Sequence, residues 1–449
     1  MRSGKKPVDI LKDVKTLIKV RYPGFGPNKA REITRLLYEI SKRDNIPPNT
    51  IIEPGLTVSF QSLKSYLLKK RFPYSSMDKR FKNTYLPEVK LSTEDVCALD
   101  NKTYYPETIY IEKKAVNTDL TKRFLEYYPN ARVEHIYGIK SFIAGSAMFR
   151  IKDFNDRCDK AFITYQKHDL FKRCPCTKGA VGCGYNIFNL SFGCIYECTY
   201  CYLQSYTDSP GIIYPANVDN FFDELDKRLR PGMRLGTGEF SDSLMIDHVT
   251  GYSKSIINFF RDHTDCTFEF KTKSSNISNL LESKHNGNIV VSWSFNPPCV
   301  ISENEHYCAT LEQRVKAAKL CSGAGYRIGI HFDPIILHNG WRYNYSKVID
   351  RILSQIAPGD IAWISLGTLR FKPETKKVIE SRFPENHMLD EELICGYDGK
   401  LRYPFAMRLK IYAHMIDLLE RHSASLPIYL CMEDQRMWRE LRLKNPFFQ

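Results

Sequence analysis

A chain of 449 residues with 43% apolar and 26% charged content can bury the cores of more than one domain, which excludes a disordered or fibrous polypeptide. The sequence has no run of eighteen apolar residues and opens on MRSGKKPVDILKDVK, without the apolar stretch of a secretory leader, so the expectation is a protein of the reducing cytoplasm with no membrane partner. The formal net charge of +14 gathers at one end: residues 1–90 carry 20 Lys and Arg against 8 Asp and Glu, a balance suited to a polyanion such as nucleic acid, or to a solvated extension.

In chain order, ITRLLYEISKR and FQSLKSYLLKKRF place apolar residues three and four apart on either side of the breaker NIPPNTIIEPG. They predict a basic, mainly helical extension over residues 1–85. Residues 86–170 read as a polar linker and then a small α/β unit: a strand at TIYIEK, a helix at TDLTKRFLEYYP and a strand from Val133 to Tyr137. Over 171–449, short β-branched runs alternate with helical stretches, the pattern of parallel strands joined by right-handed crossovers. The runs are NIFNLSF (186–192), MRLGTGEF (233–240), CTFEFKT (266–272), NIVVSWSF (288–295), YRIGIHF (326–332) and DIAWISLG (360–367), with LPIYLCM (426–432) as a seventh strand or a cap. This count falls short of an eightfold barrel, so the expected fold class is α/β, with a partial (β/α)6-type barrel.

Six of the fourteen cysteines, Cys174, Cys176, Cys183, Cys194, Cys198 and Cys201, fall within 28 residues. The last three stand in GCIYECTYCYLQ with the spacing C-x3-C-x2-C, directly after the first barrel strand, where such barrels carry their chemistry. Three thiolates can hold a 4Fe-4S cluster and leave one iron open. The amino and carboxylate groups of S-adenosylmethionine (SAM) can chelate that iron, and one electron from the cluster then breaks a carbon–sulfur bond to give a 5′-deoxyadenosyl radical. A zinc site completed by Cys176 or Cys183 is the alternative.

In MRLGTGEFSDSL, Gly236 and Gly238 let backbone approach a ligand, and Glu239 and Ser241 offer acceptors for an ammonium group and ribose hydroxyls. Lys273, ending the third strand, can pair with the SAM carboxylate, and Ser294 on the fourth strand is similarly placed. Each also has an ordinary reading as a strand-end residue. Cys174, Cys176 and Cys183 in RCPCTKGAVGCGY read as structural or redox-inert thiols. His331, beside Asp333, reads as a satisfied buried histidine or as a wall of the active site.

Several segments together, CGYNIFNLSFGCIYECTYCYLQ, SDSLMIDHVT, LLESKHNGNIVVSWSFN, CSGAGYRIGIHFDPIILHNGW and RFKPETKKVIESRFP, give the chain a resemblance to the spore photoproduct lyase family of radical SAM enzymes over residues 106–449. That family repairs a methylene-bridged thymine dimer in DNA. The resemblance implies that Cys194, Cys198 and Cys201 bind the cluster, that Ser241, Lys273 and Ser294 contact SAM, and that Tyr200 and Tyr202 belong to a radical relay. It implies a DNA-touching hairpin at GYDGKLRYPF, with Tyr397, Lys400 and Arg402 as contacts, and an electron donor such as flavodoxin or ferredoxin.

The chain departs from the family pattern where the lyases place the cysteine that quenches the product radical, two residues before the serine matching Ser241. Glu239 stands there, and a carboxylate does not readily donate a hydrogen atom. Either Tyr200, Tyr202 or a loop cysteine such as Cys299 donates instead, with Glu239 free to bind the SAM amine, or the reaction differs. Asp333 is a second departure, making the pocket more acidic than in the family. The competing functions are a radical SAM enzyme on another nucleic-acid or peptide substrate, and a non-catalytic, metal-containing nucleic-acid-binding protein.

Overall fold

Proline and serine set the helix starts of the basic N-terminal segment. Pro7 and Pro27 stand in the first turns of helices Pro7–Arg21 and Pro27–Asp44, where a missing N–H costs nothing, and Ser59 caps Phe60–Arg71 by accepting from Ser62 N. The computed structural model describes residues 5–53, 59–77, 84–100, 103–145, 149–166 and 171–447. It places these helices in one unit, Met1–Cys97 with Leu369–Arg408. Their apolar faces meet at Val14, Ile33, Leu36, Leu63 and Leu67, all without exposed surface.

Charge is buried beside that core. Glu39 accepts from Lys376 Nζ at 2.7 Å and Arg71 Nε at 2.6 Å, and Arg35 reaches Glu380 at 2.5 Å. Burial opposes ionisation of Glu39, but Lys376, Arg71 and Arg35 outweigh it and hold the carboxyl well below its usual range. Lys376 and Glu380 lie on helix Pro373–Arg382, so these ion pairs knit a sequence-distant segment into the unit. The same segment carries three short antiparallel strands, Arg370–Phe371, Ile394–Cys395 and Leu401–Arg402.

The second unit, Ala98–Thr368 with Leu409–Gln449, holds two larger sheets. The smaller one comprises β1 (Thr108–Glu112), β2 (Arg132–Ile136), β3 (Lys160–Thr164) and β7 (Ile212–Pro215), all parallel, in the order β2-β1-β3-β7. The sequence reading found β1 and β2; β3 and β7 are additions, and β7 arrives only after the cysteine loop.

The larger sheet has β4 (Phe171–Arg173), β5 (Tyr185–Phe188), β8 (Arg234–Gly236), β9 (Thr267–Thr272), β10 (Ile289–Ser294), β12 (Arg327–Ile335), β13 (Ile361–Thr368) and the edge strand Ile428–Leu430. Every neighbouring pair is parallel except β4 with β5. Helices Tyr252–Arg261, Leu311–Gly323 and Trp341–Leu353 lie in the crossovers, and β10 and β13 are buried at every residue, as parallel strands covered on both faces are. LPIYLCM therefore supplies a seventh parallel strand, and the sheet stays open as a partial barrel.

MRLGTGEF yields only three strand residues. A Cβ on Gly236 would collide with the Tyr185 hydroxyl, and Gly238 turns the chain out at φ +102°. Inside the barrel, Glu269 accepts from His331 Nε2 at 2.8 Å, Trp363 Nε1 at 3.1 Å and Ser292 Oγ, so His331 is a buried partner of Glu269. Among the described residues no helix is long and apolar enough to cross a membrane.

Candidate active site

Parallel strands put their C-terminal ends on one side of a sheet, and there the predicted residues collect. After β5 the chain passes Gly193, at φ +104° against Ile212, and reaches Cys194. The loop then forms β6 (Glu197–Cys198), antiparallel to β11 (Glu305–His306), and Thr199 N donates to Asn304 O at 2.9 Å. Arg157 braces it, donating to the Cys194 carbonyl at 3.0 Å and the Tyr196 carbonyl at 2.8 Å while pairing with Glu197.

The three loop thiols are partly buried and within electrostatic reach of one another. Burial pushes Cys194 up and Cys201 to about 11, whereas a hydrogen bond with Cys308 draws Cys198 down. Among the described residues no three His, Cys, Asp or Glu side chains close around one point as a single ion requires. Three thiolates suit a cluster that leaves one iron open, whereas a structural tetrahedral zinc takes four ligands.

Within the loop, the Tyr200 hydroxyl donates to Glu305. Glu305 also accepts from Asn296 Nδ2 at 2.8 Å and pairs with Arg314 at 2.6 Å, both charged side chains having no exposed surface. Arg314 in turn donates to the Ser294 and Ala309 carbonyls at 2.8 Å, and Tyr345 Oη to Asn296 at 2.7 Å. Burial opposes ionisation of Glu305, but Arg314 and Lys273 prevail and its carboxyl falls to about 2. Lys273 Nζ lies 5.7 Å from the Tyr200 ring centre; burial pulls its ammonium down, and Cys198, Glu305 and Cys308 more than offset this. Asp242 fixes the end of β9, accepting from Thr272 Oγ1 and Lys273 N, each at 2.6 Å. Ser241 adjoins Asp242, and Ser294 is the buried last residue of β10.

Glu239 and Tyr202 form a second station. The Tyr202 hydroxyl donates to the Glu239 carbonyl, and the Glu239 carboxylate pairs with Lys172 Nζ at 2.6 Å. Phe240 stacks on Tyr206 at 5.8 Å and lies 4.6 Å from Lys172 Nζ. Asn189 donates to Glu239 at 3.4 Å, and its own buried Oδ1 has no hydrogen-bond partner among the described residues.

A family model described as spore photoproduct lyase matches residues 104–403. The chain belongs to the spore photoproduct lyase family. It is 32% identical over 210 residues to the spore photoproduct lyase of Geobacillus sp. (strain Y412MC61), covering 45% of this chain and 62% of that protein. With the lyase of Bacillus subtilis (strain 168) it shares 34% over 209 residues, covering 44% and 61%. The chain thus spans about three-fifths of the length of these two relatives. A spore photoproduct lyase variant with bound AdoMet and dinucleoside spore photoproduct superposes with a TM-score of 0.64 at 24% identity, over 74% of this chain and 100% of that one. This likeness bears out the spore photoproduct lyase fold, partial barrel included.

The remaining predicted residues lie in the first unit, on the turn between Ile394–Cys395 and Leu401–Arg402. Tyr397 is 44% exposed and Lys400 half-buried. Arg402 departs from its expected DNA-facing place: it is 1% exposed, pairs with Asp398 and lies 5.0 Å from the Tyr397 ring centre, bracing the turn from within. Sequence reasoning missed Glu305, Arg314, Asp242, Cys308, Lys172 and Asn189. None carries a motif of its own, and only Asp242 and Asn189 lie in segments already singled out, SDSLMIDHVT and CGYNIFNLSFGCIYECTYCYLQ.

Proposed function

We propose that the protein is a radical SAM lyase that returns spore photoproduct in DNA to two thymines. The observation that carries this reading is the three-thiol loop at the C-terminal end of β5 in a chain of this family. When bound, a 4Fe-4S cluster and SAM supply a carbon-centred radical that abstracts hydrogen from the lesion. Cys194, Cys198 and Cys201 hold the cluster, Lys273 meets the SAM carboxylate, and Ser241 and Ser294 offer hydroxyls. Gly236 makes room for the Tyr185 hydroxyl, and Gly238, at φ +102°, turns the chain out after β8. Glu239, tied to Lys172, orders the wall that carries Tyr202.

A dimer inside a duplex is reached by extruding it, which a lesion-weakened stack makes cheaper. Tyr397 and Lys400 are the proposed base and phosphate contacts, and exposed Lys12, Lys15 and Lys19, spaced along one side of helix Pro7–Arg21, add sequence-independent attraction for the backbone. Flavodoxin or ferredoxin is the proposed electron donor. The reducing cytoplasm is the proposed compartment, since thiols meant to hold a cluster stay reduced there.

The test is anaerobic reconstitution with iron, sulfide, SAM and dinucleoside spore photoproduct. The expected result is a brown, iron-containing protein that yields thymine and cleaves SAM. Cleavage of SAM without thymine would move the reading to another substrate, and a zinc-only protein would overturn it.

A further inference from the structure

Side chains two apart on a strand share a face, so β9 turns Glu269, Lys271 and, just past its end, Lys273 into the barrel together. Glu269 is met by His331, Trp363 and Ser292, and Lys273 is within electrostatic reach of Cys198 and Glu305. Lys271 has no such answer. It is half-buried, and among the described residues its ammonium makes no hydrogen bond and no ion pair.

Its neighbours are small. Gly238, at φ +102°, lies against the Lys271 stem, where a Cβ would stand 3.2 Å from Lys271 Cβ. On β10 the register partner is Ser292, whose hydroxyl goes to Glu269, and on β12 the partner of Ser292 is Gly329. Two glycines and a serine thus leave the lysine without bulky neighbours or an acceptor in its own row. Higher on the same face of β12 come His331 and Asp333. Burial, first, and the Lys271 charge pull the His331 imidazolium down, while Glu269 and Asp333 oppose them, so Lys271 and Asp333 both lie within electrostatic reach of that ring.

A cation and a carboxylate flanking a buried imidazole offer a donor and an acceptor to whatever enters the barrel. Each pyrimidine ring of the lesion presents the matching edge, an imide with an N–H between two carbonyl oxygens. A flat, neutral ring leaves water at small cost, whereas a phosphodiester is a hydrated charge better left at the rim.

We propose that Lys271 and Asp333 read the imide edge of one pyrimidine of the lesion, Lys271 Nζ donating to a ring carbonyl oxygen and the Asp333 carboxylate accepting from the ring N3–H. The assignment rests on the lyase reading above for the identity of the ligand. It makes these two side chains specificity-determining, since a site built to hydrogen-bond a group rejects the analogue that lacks it.

Binding tests this, in reconstituted protein with cluster and SAM but no reductant, so that no turnover occurs. The probe is dinucleoside spore photoproduct, which has no phosphodiester. Lys271→Met, which keeps the stem and removes the charge, should weaken its affinity about tenfold or more, and Lys271→Arg should recover most of the loss. Methylating N3 of both rings should weaken binding to the parent about tenfold, and Asp333→Ala should shrink that penalty to about twofold, a change of selectivity that a merely structural role would not produce. Parent-like dinucleoside affinity in Lys271→Met, even with weaker binding of a phosphodiester-linked lesion, overturns the assignment, as does an N3-methyl penalty that Asp333→Ala leaves intact. A parent that binds the dinucleoside yet releases no thymine on reduction sinks the lyase reading alone.

Discussion

Glu39 in the first unit and Glu305 in the second are both buried carboxylates paired with arginine, yet they serve different ends. Glu39 meets Arg35, Arg71 and Lys376 and ties together segments more than three hundred residues apart. Glu305 gives one oxygen to Arg314 and the other to a phenol and an amide, opposite Cys198 across the β6–β11 pair. The first set neutralises charge so that a discontinuous unit holds; the second fixes the setting of Tyr200 and the cluster loop. Buried ion pairs add little net stability but are costly to break, so removing either carboxylate separates assembly from chemistry.

The largest expected effect is Cys198→Ala, which should lose the iron and sulfide of the cluster and with them essentially all SAM cleavage, while the helical first unit stays folded; metal analysis and circular dichroism check both. Glu39→Ala and Glu305→Ala should each cost about 3–5 kcal/mol by denaturant unfolding, since each strands buried cations. Only Glu305→Ala should also lower SAM cleavage per folded molecule; equal losses in both variants would erase the distinction.

Acid should part them next. The folded Glu305 carboxyl lies at about 2, below its ordinary value of 4.5, so its contribution is complete above pH 4.5 and fades as pH falls toward 2. Replacing Glu305 with Gln should flatten that part of the stability–pH curve.

Reversing Lys12, Lys15 and Lys19 to Glu should reduce the slope of log affinity against log salt by about 3, at roughly one unit per phosphate contact, and leave barrel stability unchanged. Tyr397→Ala should have the smallest effect, about 1 kcal/mol in DNA affinity if the ring stacks on a base.

Much of the barrel was legible because its strands are short β-branched runs punctuated by glycine, and each of the seven predicted runs overlaps a parallel strand. β7 was not, because IIYP is brief and its partner β3 lies fifty residues earlier. The proposed cluster cysteines announce themselves by spacing, whereas Glu305 and Arg314 are joined only through the fold. Arg402 shows the limit of motif reading: a basic residue in a hairpin looks like a phosphate contact until Asp398, four positions before it, claims the guanidinium.

The first unit is discontinuous, and this bears on how the protein is made. Arg35 and Glu39 leave the ribosome long before Lys376 and Glu380, with all of residues 98–368 translated in between. At typical elongation rates the nascent helices wait roughly 17–70 s for their counterions, an interval in which a holdase has reason to attend them.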